Sequence, residues 1–246
     1  TSWVLAENLL DTYQDKVHLA SRQASYLRQV QDSLTQWYIH HAGAIDRVLA
    51  PAGMKRLLPR LGLPLKWDLG AASSNRIQQG GIAYHVLAVW IPGGARNAPR
   101  LDPATGQFQP GSARAYALVN GQGIELAKVR QTRQVLEKDA LFLEEMFKSD
   151  ELRDADHREH INYFLGQGCS DAASTQPACL NFAVPLVDTD LPGQAGMGRL
   201  DEWDAWGGQI EVGGAGDSRA APPFSLSIQS VTPWNRVLRI VATQPM

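Results

Sequence analysis

The first 42 residues contain neither glycine nor proline, whereas the remaining 204 hold all 22 glycines and all 14 prolines. Those two residue types interrupt helices most strongly, so a stretch without them is free to run as one helix. Within it Leu10, Tyr13, Val17, Ala20, Ala24 and Leu27 recur three and four apart, and Leu34, Trp37 and Tyr38 continue the series. That spacing lays one apolar stripe along a helix. Asp11, Lys16, Arg22, Arg28 and Asp32 fall mostly off it. A helix from Trp3 to His41 would be about 55–60 Å long at ~1.5 Å per residue. That exceeds the diameter expected of a domain of this size, so part of the helix projects or lies against something outside this chain. Gly43 is a natural stop, and His40 and His41 suit the negative end of the helix dipole.

The rest of the chain reads as mixed structure. Residues 43–81 are punctuated by Pro51, Gly53, Pro59, Gly62, Pro64 and Gly70 and read as irregular, with short helices near Ala44–Leu49 and Met54–Leu58. Ile82–Ile91 is one buried strand closed by Pro92-Gly93-Gly94, and Ala113–Asn120 is a second. Ile124–Lys148 and Asp150–Phe164 read as two helices. Phe182–Val187, Gln209–Val212, Phe224–Gln229 and Arg236–Ala242 read as strands of an antiparallel meander. The expected class is α+β: a long N-terminal helix packed on a C-terminal antiparallel sheet, with extra helices in the middle. The domain reading is a helix over 1–42 followed by one globular domain over 43–246.

Charge and motifs remove several function classes. Lys plus Arg is 23 and Asp plus Glu is 25, a net charge of −2, so there is no basic excess to offset a nucleic-acid backbone. No apolar run approaches the ~20 residues that a membrane span needs. No phosphate-cradling Gly-x-x-x-x-Gly-Lys-Ser/Thr or strand-linked Gly-x-Gly-x-x-Gly occurs, and no Gly-x-Ser-x-Gly nucleophile turn. His157 and His160 stand three apart among Asp154, Asp156 and Glu159 and could face one ion, but the favoured reading is a solvated, charge-laced helix face. His18 and His85 stand alone and read as structural. Asp188, Asp190, Asp201 and Asp204 sit in an acidic loop that would suit calcium if it folded back on itself; a solvated loop is the alternative. Cys169 and Cys179 would close a short loop by a disulfide, implying an oxidising compartment, against the alternative of two reduced thiols. Trp203, Trp206 and Trp234 read as packing anchors or as a carbohydrate or partner surface.

One segment carries a resemblance. Leu200-Asp-Glu-Trp-Asp-Ala-Trp-Gly-Gly-Gln-Ile210 is similar to the Asp-Pro-Trp-Gly-x-x-Ile/Tyr segment that opens a strand in type IV pilins and type II secretion pseudopilins. Asp204, Trp206 and Gly207 match that pattern, and Ala205 stands where the proline is usual. The long N-terminal helix, the terminal strands over Pro222–Ile228 and Leu238–Pro245, and the close cysteine pair suit the same family. The resemblance implies a structural subunit, large or minor, with no catalytic residues and no cofactor beyond the calcium considered above. Thr1 would fall near the start of the amphipathic half of the family's spine helix, with a prepilin leader and an apolar half-helix ahead of it. Leu10, Tyr13 and Val17 would then face neighbouring helices, and Leu27 and Leu34 would lie on the subunit's own sheet. Its partners would be other pilin or pseudopilin subunits and the inner-membrane assembly machinery. The subunit would wait in the inner membrane and periplasm and then enter an extracellular filament. Two other readings stay open: a membrane-tethered extracytoplasmic sensor or adhesin on a helical stalk, and a metal-dependent hydrolase using His157 and His160.

Overall fold

The fold is taken from a computed structural model that describes residues 2–49, 53–63, 67–94, 96–155, 161–164, 183–186 and 200–246, with side chains described from Gln14 onward. The chain is α+β, with a long N-terminal helix and antiparallel sheets. It divides into two compact units, Thr1–Leu126 and Ala127–Met246, and the division falls inside a helix.

The first unit opens with α1, Ser2–His41. A 3₁₀ turn over Ala42–Ala44 takes in Gly43, and the short helix α2, Ile45–Leu49, follows. A further short helix, α3 at Gly53–Leu57, runs into a 3₁₀ turn ended by Gly62 in the left-handed conformation. Two strands then form where the sequence reads as irregular: β1, Gly70–Ser73, and β2, Ile77–Gln79. The long apolar run over 82–91 is two strands, β3 at Ile82–Tyr84 and β4 at Val86–Ile91. His85 divides them because its N–H leaves the ladder and donates to the Tyr38 hydroxyl at 3.0 Å. β3 pairs with β2 only, while β4 takes β1 on one side and β7, Ala115–Asn120, on the other. Between them a small hairpin joins β5, Arg100–Leu101, to β6, Phe108–Gln109.

The sheet covered by α1 is this β1–β4–β7 sheet, not the C-terminal strands that the sequence reading assigns to it. The reason lies in the buried stripe. Tyr26, Leu27, Val30, Leu34 and Tyr38 are all at most 4% exposed, and Leu87, Ala88 and Val89 of β4 are at 0%. A strand with all side chains but Trp90 buried lies in the middle of its sheet, and the glycine-free helix supplies the apolar cover. Gly70 faces Trp90 across the β1–β4 pair, and a Cβ there would sit 2.1 Å from the indole, so the site admits only glycine.

The second unit holds most of α4, Gln122–Arg153. The sequence reading ends a helix at Lys148 and starts another at Asp150, yet α4 continues through Ser149 to Arg153, and Asp154–Ala155 and Ile161–Phe164 are bends and turns. No glycine or proline interrupts α4 at 149–153, so nothing stops it there. Val129, Thr132, Leu136, Ala140, Leu143 and Phe147 are buried at three- and four-residue spacing. The same unit holds an antiparallel meander of β8 (Val184–Pro185), β9 (Glu211–Val212), β10 (Ser225–Val231) and β11 (Val237–Thr243), in that spatial order. Its inward side chains are Ile210, Val212, Phe224, Leu226, Ile228, Leu238 and Ala242. Phe147 anchors this core, with its ring against those of Phe164 at 4.6 Å, Tyr163 at 5.4 Å and Phe224 at 6.4 Å. At the sheet edge Glu144 accepts the Thr243 N–H at 2.8 Å.

Candidate functional site

Among the described residues several places carry polar or exposed features beyond ordinary packing, and three of them bear on function. The first is the N-terminal part of α1. Every side chain from Gln14 to Arg22 is exposed, and the first buried position among the described side chains is Gln23. Val17 and Leu19 are 49% and 44% exposed. From Tyr26 on, the helix is buried on one face. The described part of α1 therefore has two regimes: a C-terminal part that is buried on its own sheet, Leu27 and Leu34 included, and Gln14–Arg22, which its own unit leaves uncovered. Leu10 and Tyr13 precede the described side chains. Among the described residues no helix is long and apolar enough to cross a membrane.

The second place is the Asp204 turn. Asp204 is 8% exposed, and its carboxylate organises the loop. Oδ1 accepts the N–H of Trp206 at 2.8 Å and of Gly208 at 2.7 Å, while Oδ2 accepts the Ser230 hydroxyl at 2.6 Å. The backbone closes the same turn, with Asp204 N–H donating to Gly208 C=O at 2.8 Å. Gly207 sits at φ +79°, where a Cβ is strained, and at Gly208 a Cβ would approach Asp204 Oδ2 at 2.8 Å. This explains the local Asp-x-Trp-Gly-Gly order: the acid caps the turn and the two glycines let the backbone wrap it. α4 holds the loop from beside it. Lys128 donates to the Ala205 carbonyl at 2.5 Å, Thr132 Oγ1 accepts the Ala205 N–H at 3.1 Å, and Asp139 Oδ1 accepts the Asp201 N–H at 3.2 Å. Trp206 meets Trp234 edge to face at 5.4 Å, an anchoring contact, whereas Trp203 is 53% exposed.

Beside this loop, Asp139 of α4 is the unusual group. It is fully buried and its Oδ2 has no hydrogen-bond partner among the described residues. Burial pushes its carboxyl up to about 6, the nearby Asp201 charge adds to this, and the Asp201 N–H opposes it. Asp201 itself pairs with Lys138 at 2.8 Å. Asp201 and Asp204 thus have separate partners, Lys138 and the turn donors, and among the described residues no three His, Cys, Asp or Glu converge on one point. Asp188 and Asp190 lie outside the described residues, as do Cys169, Cys179, His157 and His160.

The third place is a buried polar cluster in the first unit that single-residue reading does not reveal. Tyr38, at 0% exposure, accepts the His85 N–H and hydrogen-bonds Glu125, itself 2% exposed. Burial, with the Glu125 charge behind it, raises the Tyr38 phenol. His85 Nε2 lies 2.8 Å from Asp46 Oδ1, and Nδ1 lies 3.0 Å from the Ser74 carbonyl. Burial pushes the Asp46 carboxyl upward, but hydrogen bonds from Arg76 and His85 outweigh it and hold the group low. Acid, histidine and serine are thus gathered, yet in the wrong order for a nucleophile. The Ser74 hydroxyl donates to Asn75 C=O and accepts the Val86 N–H, both at 2.8 Å, so the imidazole does not touch it. The cluster braces the break between β3 and β4. His85 alone was legible as a structural histidine; the signal for its partners was the tertiary pairing, which no local spacing encodes.

No protein-family model, no curated protein and no solved structure matches this chain.

Proposed function

We propose that this chain is part of a structural subunit, a large or minor pilin or pseudopilin, of a type IV pilus or type II secretion filament. The carrying observation is the division of α1 into a half that lies on its own sheet and a stretch, Gln14–Arg22, that nothing in its unit covers. A single helix left bare in water is marginal, so the stretch needs a neighbour to justify its regular helical backbone. In a filament that neighbour is the spine of the next subunit, and a head-to-tail contact repeated along an axis builds an open helical array. The Asp204–Gly208 turn, with its acid cap and two glycines, supports the same reading. In this reading the chain is a building element and not a catalyst. It is held at the inner membrane by an apolar half-helix ahead of Thr1, and its partners are fellow subunits and the assembly machinery.

The test is to read the gene upstream of Thr1. A short basic leader, a small residue at a cleavage point and about 20 apolar residues with an early glutamate would support the proposal. A conventional signal peptide or a translation start at this point would overturn it. A stalked sensor or adhesin would use the same bare stretch as a parallel coiled coil, and a stable dimer through residues 3–38 would favour that reading.

A further inference from the structure

We infer that the open edge of β7, together with the groove between it and α1, is a docking site for an extended acidic segment of another polypeptide, which it takes up by strand addition. β7 is the last strand of its sheet, paired only with β4. The direction of its free backbone groups follows from two contacts. Gly121 N–H donates to His85 C=O at 2.9 Å, so the odd-numbered positions of this register face β4. Gln31 Nε2 donates to the Leu118 carbonyl at 2.8 Å from α1, so the even-numbered positions face away from β4. Gln31 takes the Leu118 carbonyl, which leaves the Leu118 N–H and both backbone groups of Tyr116 pointing outward with no partner among the described residues. Such a row is what an added strand completes.

Space and charge select the occupant. Beside this edge runs a groove of about 360 Å³, walled by Ala24, Leu27, Arg28 and Gln31 of α1 and by residues 113–117. Its small alanines admit a backbone close to the edge. Arg28 and Arg114 line it, both exposed, and neither has an ion-pair or hydrogen-bond partner among the described residues. Asp32, one turn beyond Arg28 on the exposed face of α1, makes no ion pair with it. Two unpaired guanidinium groups over an open edge favour carboxylates on the incoming strand. They also disfavour a two-fold pairing of β7 with its own copy, which would set arginines against arginines. A helix cannot meet the edge, since its backbone groups are already bonded internally.

The site stands apart from the filament reading, because the test uses this chain alone with a peptide and does not depend on assembly. The probe is a fluorescein-labelled heptapeptide of alternating valine and glutamate, with a matched peptide carrying lysine for glutamate. We expect saturable binding of the acidic peptide that weakens with salt, and binding of the lysine peptide at least about tenfold weaker. Arg28→Glu with Arg114→Glu, both at exposed positions and so expected to leave the circular dichroism spectrum unchanged, should weaken the acidic peptide by at least about tenfold. Hydrogen exchange at the Tyr116 and Leu118 amides should slow in the complex. The inference is overturned by no saturation below about 1 mM peptide or by equal binding of both peptides. A folded double variant that binds unchanged, or binding without protection at those two amides, would overturn it equally.

Discussion

Tyr38 stands between two buried groups that have few alternatives. It accepts the His85 N–H and is hydrogen-bonded to Glu125, so Tyr38→Phe strands both in the core. Leaving buried polar groups unpaired costs about 1–3 kcal/mol each, and urea unfolding of the variant should show a loss of that order. Two glycines two positions apart, Gly121 and Gly123, should behave oppositely. A Cβ on Gly121 would sit 2.1 Å from the Tyr38 hydroxyl, so Gly121→Ala should destabilise the first unit by more than about 2 kcal/mol. At Gly123, in the first turn of α4, a Cβ meets nothing within 4 Å, and Gly123→Ala should be neutral or stabilising by up to about 1 kcal/mol. Asp139 gives a pH signature. Its carboxyl is raised from 3.8 to about 6 in the folded chain, so the native state holds the proton more tightly than the unfolded one. Its contribution therefore falls as pH rises from about 4 to about 6 and stays unfavourable above that. Asp139→Asn should remove this slope and raise stability at pH 7 by an amount on the order of 1–3 kcal/mol, as read from melting temperatures across that range.

At the scale of elements, α1 separates stability from assembly. Val17 and Leu19 are exposed, so Val17→Glu with Leu19→Glu should leave the melting temperature of the isolated chain within about 2 °C of its original value. In the parent organism the same variant should fail to co-fractionate with filaments, and normal incorporation would contradict the filament reading. The helix itself was legible because nothing in its sequence could break it, and Leu27 and Leu34 are buried as their spacing implies. Its partner sheet was not. β1 and β2 arise in glycine-punctuated sequence, and their pairing partners lie across turns with no local pattern. The break at His85 was hidden for a related reason: an apolar run of ten residues gives no sign that one amide will bond to a tyrosine 47 positions earlier. At Ser149-Asp150 the reverse holds: the sequence reading sets a boundary there, yet α4 runs on to Arg153, with Phe147 packed on Phe164.

Over the whole molecule, each compact unit has a helix on an antiparallel sheet and its own buried core. Hydrogen exchange on the intact chain should therefore show two separate sets of slowest amides. One lies in β4 and the buried turns of α1, the other in β10 and the middle of α4. A single protected set confined to one unit would contradict this. Composition made the class legible, since a glycine-free opening followed by turn-rich sequence leaves little besides α+β. The Asp204 turn was legible as a motif, but not its docking on Lys128, Thr132 and Asp139, which depends on the helical phase of α4 relative to a loop more than 60 residues away.

The fit of Gly121 against the Tyr38 hydroxyl also bears on how such sequences drift. A larger residue at 121 is tolerable only beside a smaller one at 38, and losing the tyrosine oxygen leaves Glu125 without reason to stay acidic. Positions 38, 121 and 125 should therefore change as a set. Among relatives of this chain the three columns should covary, and an aromatic hydroxyl at 38 should travel with glycine at 121.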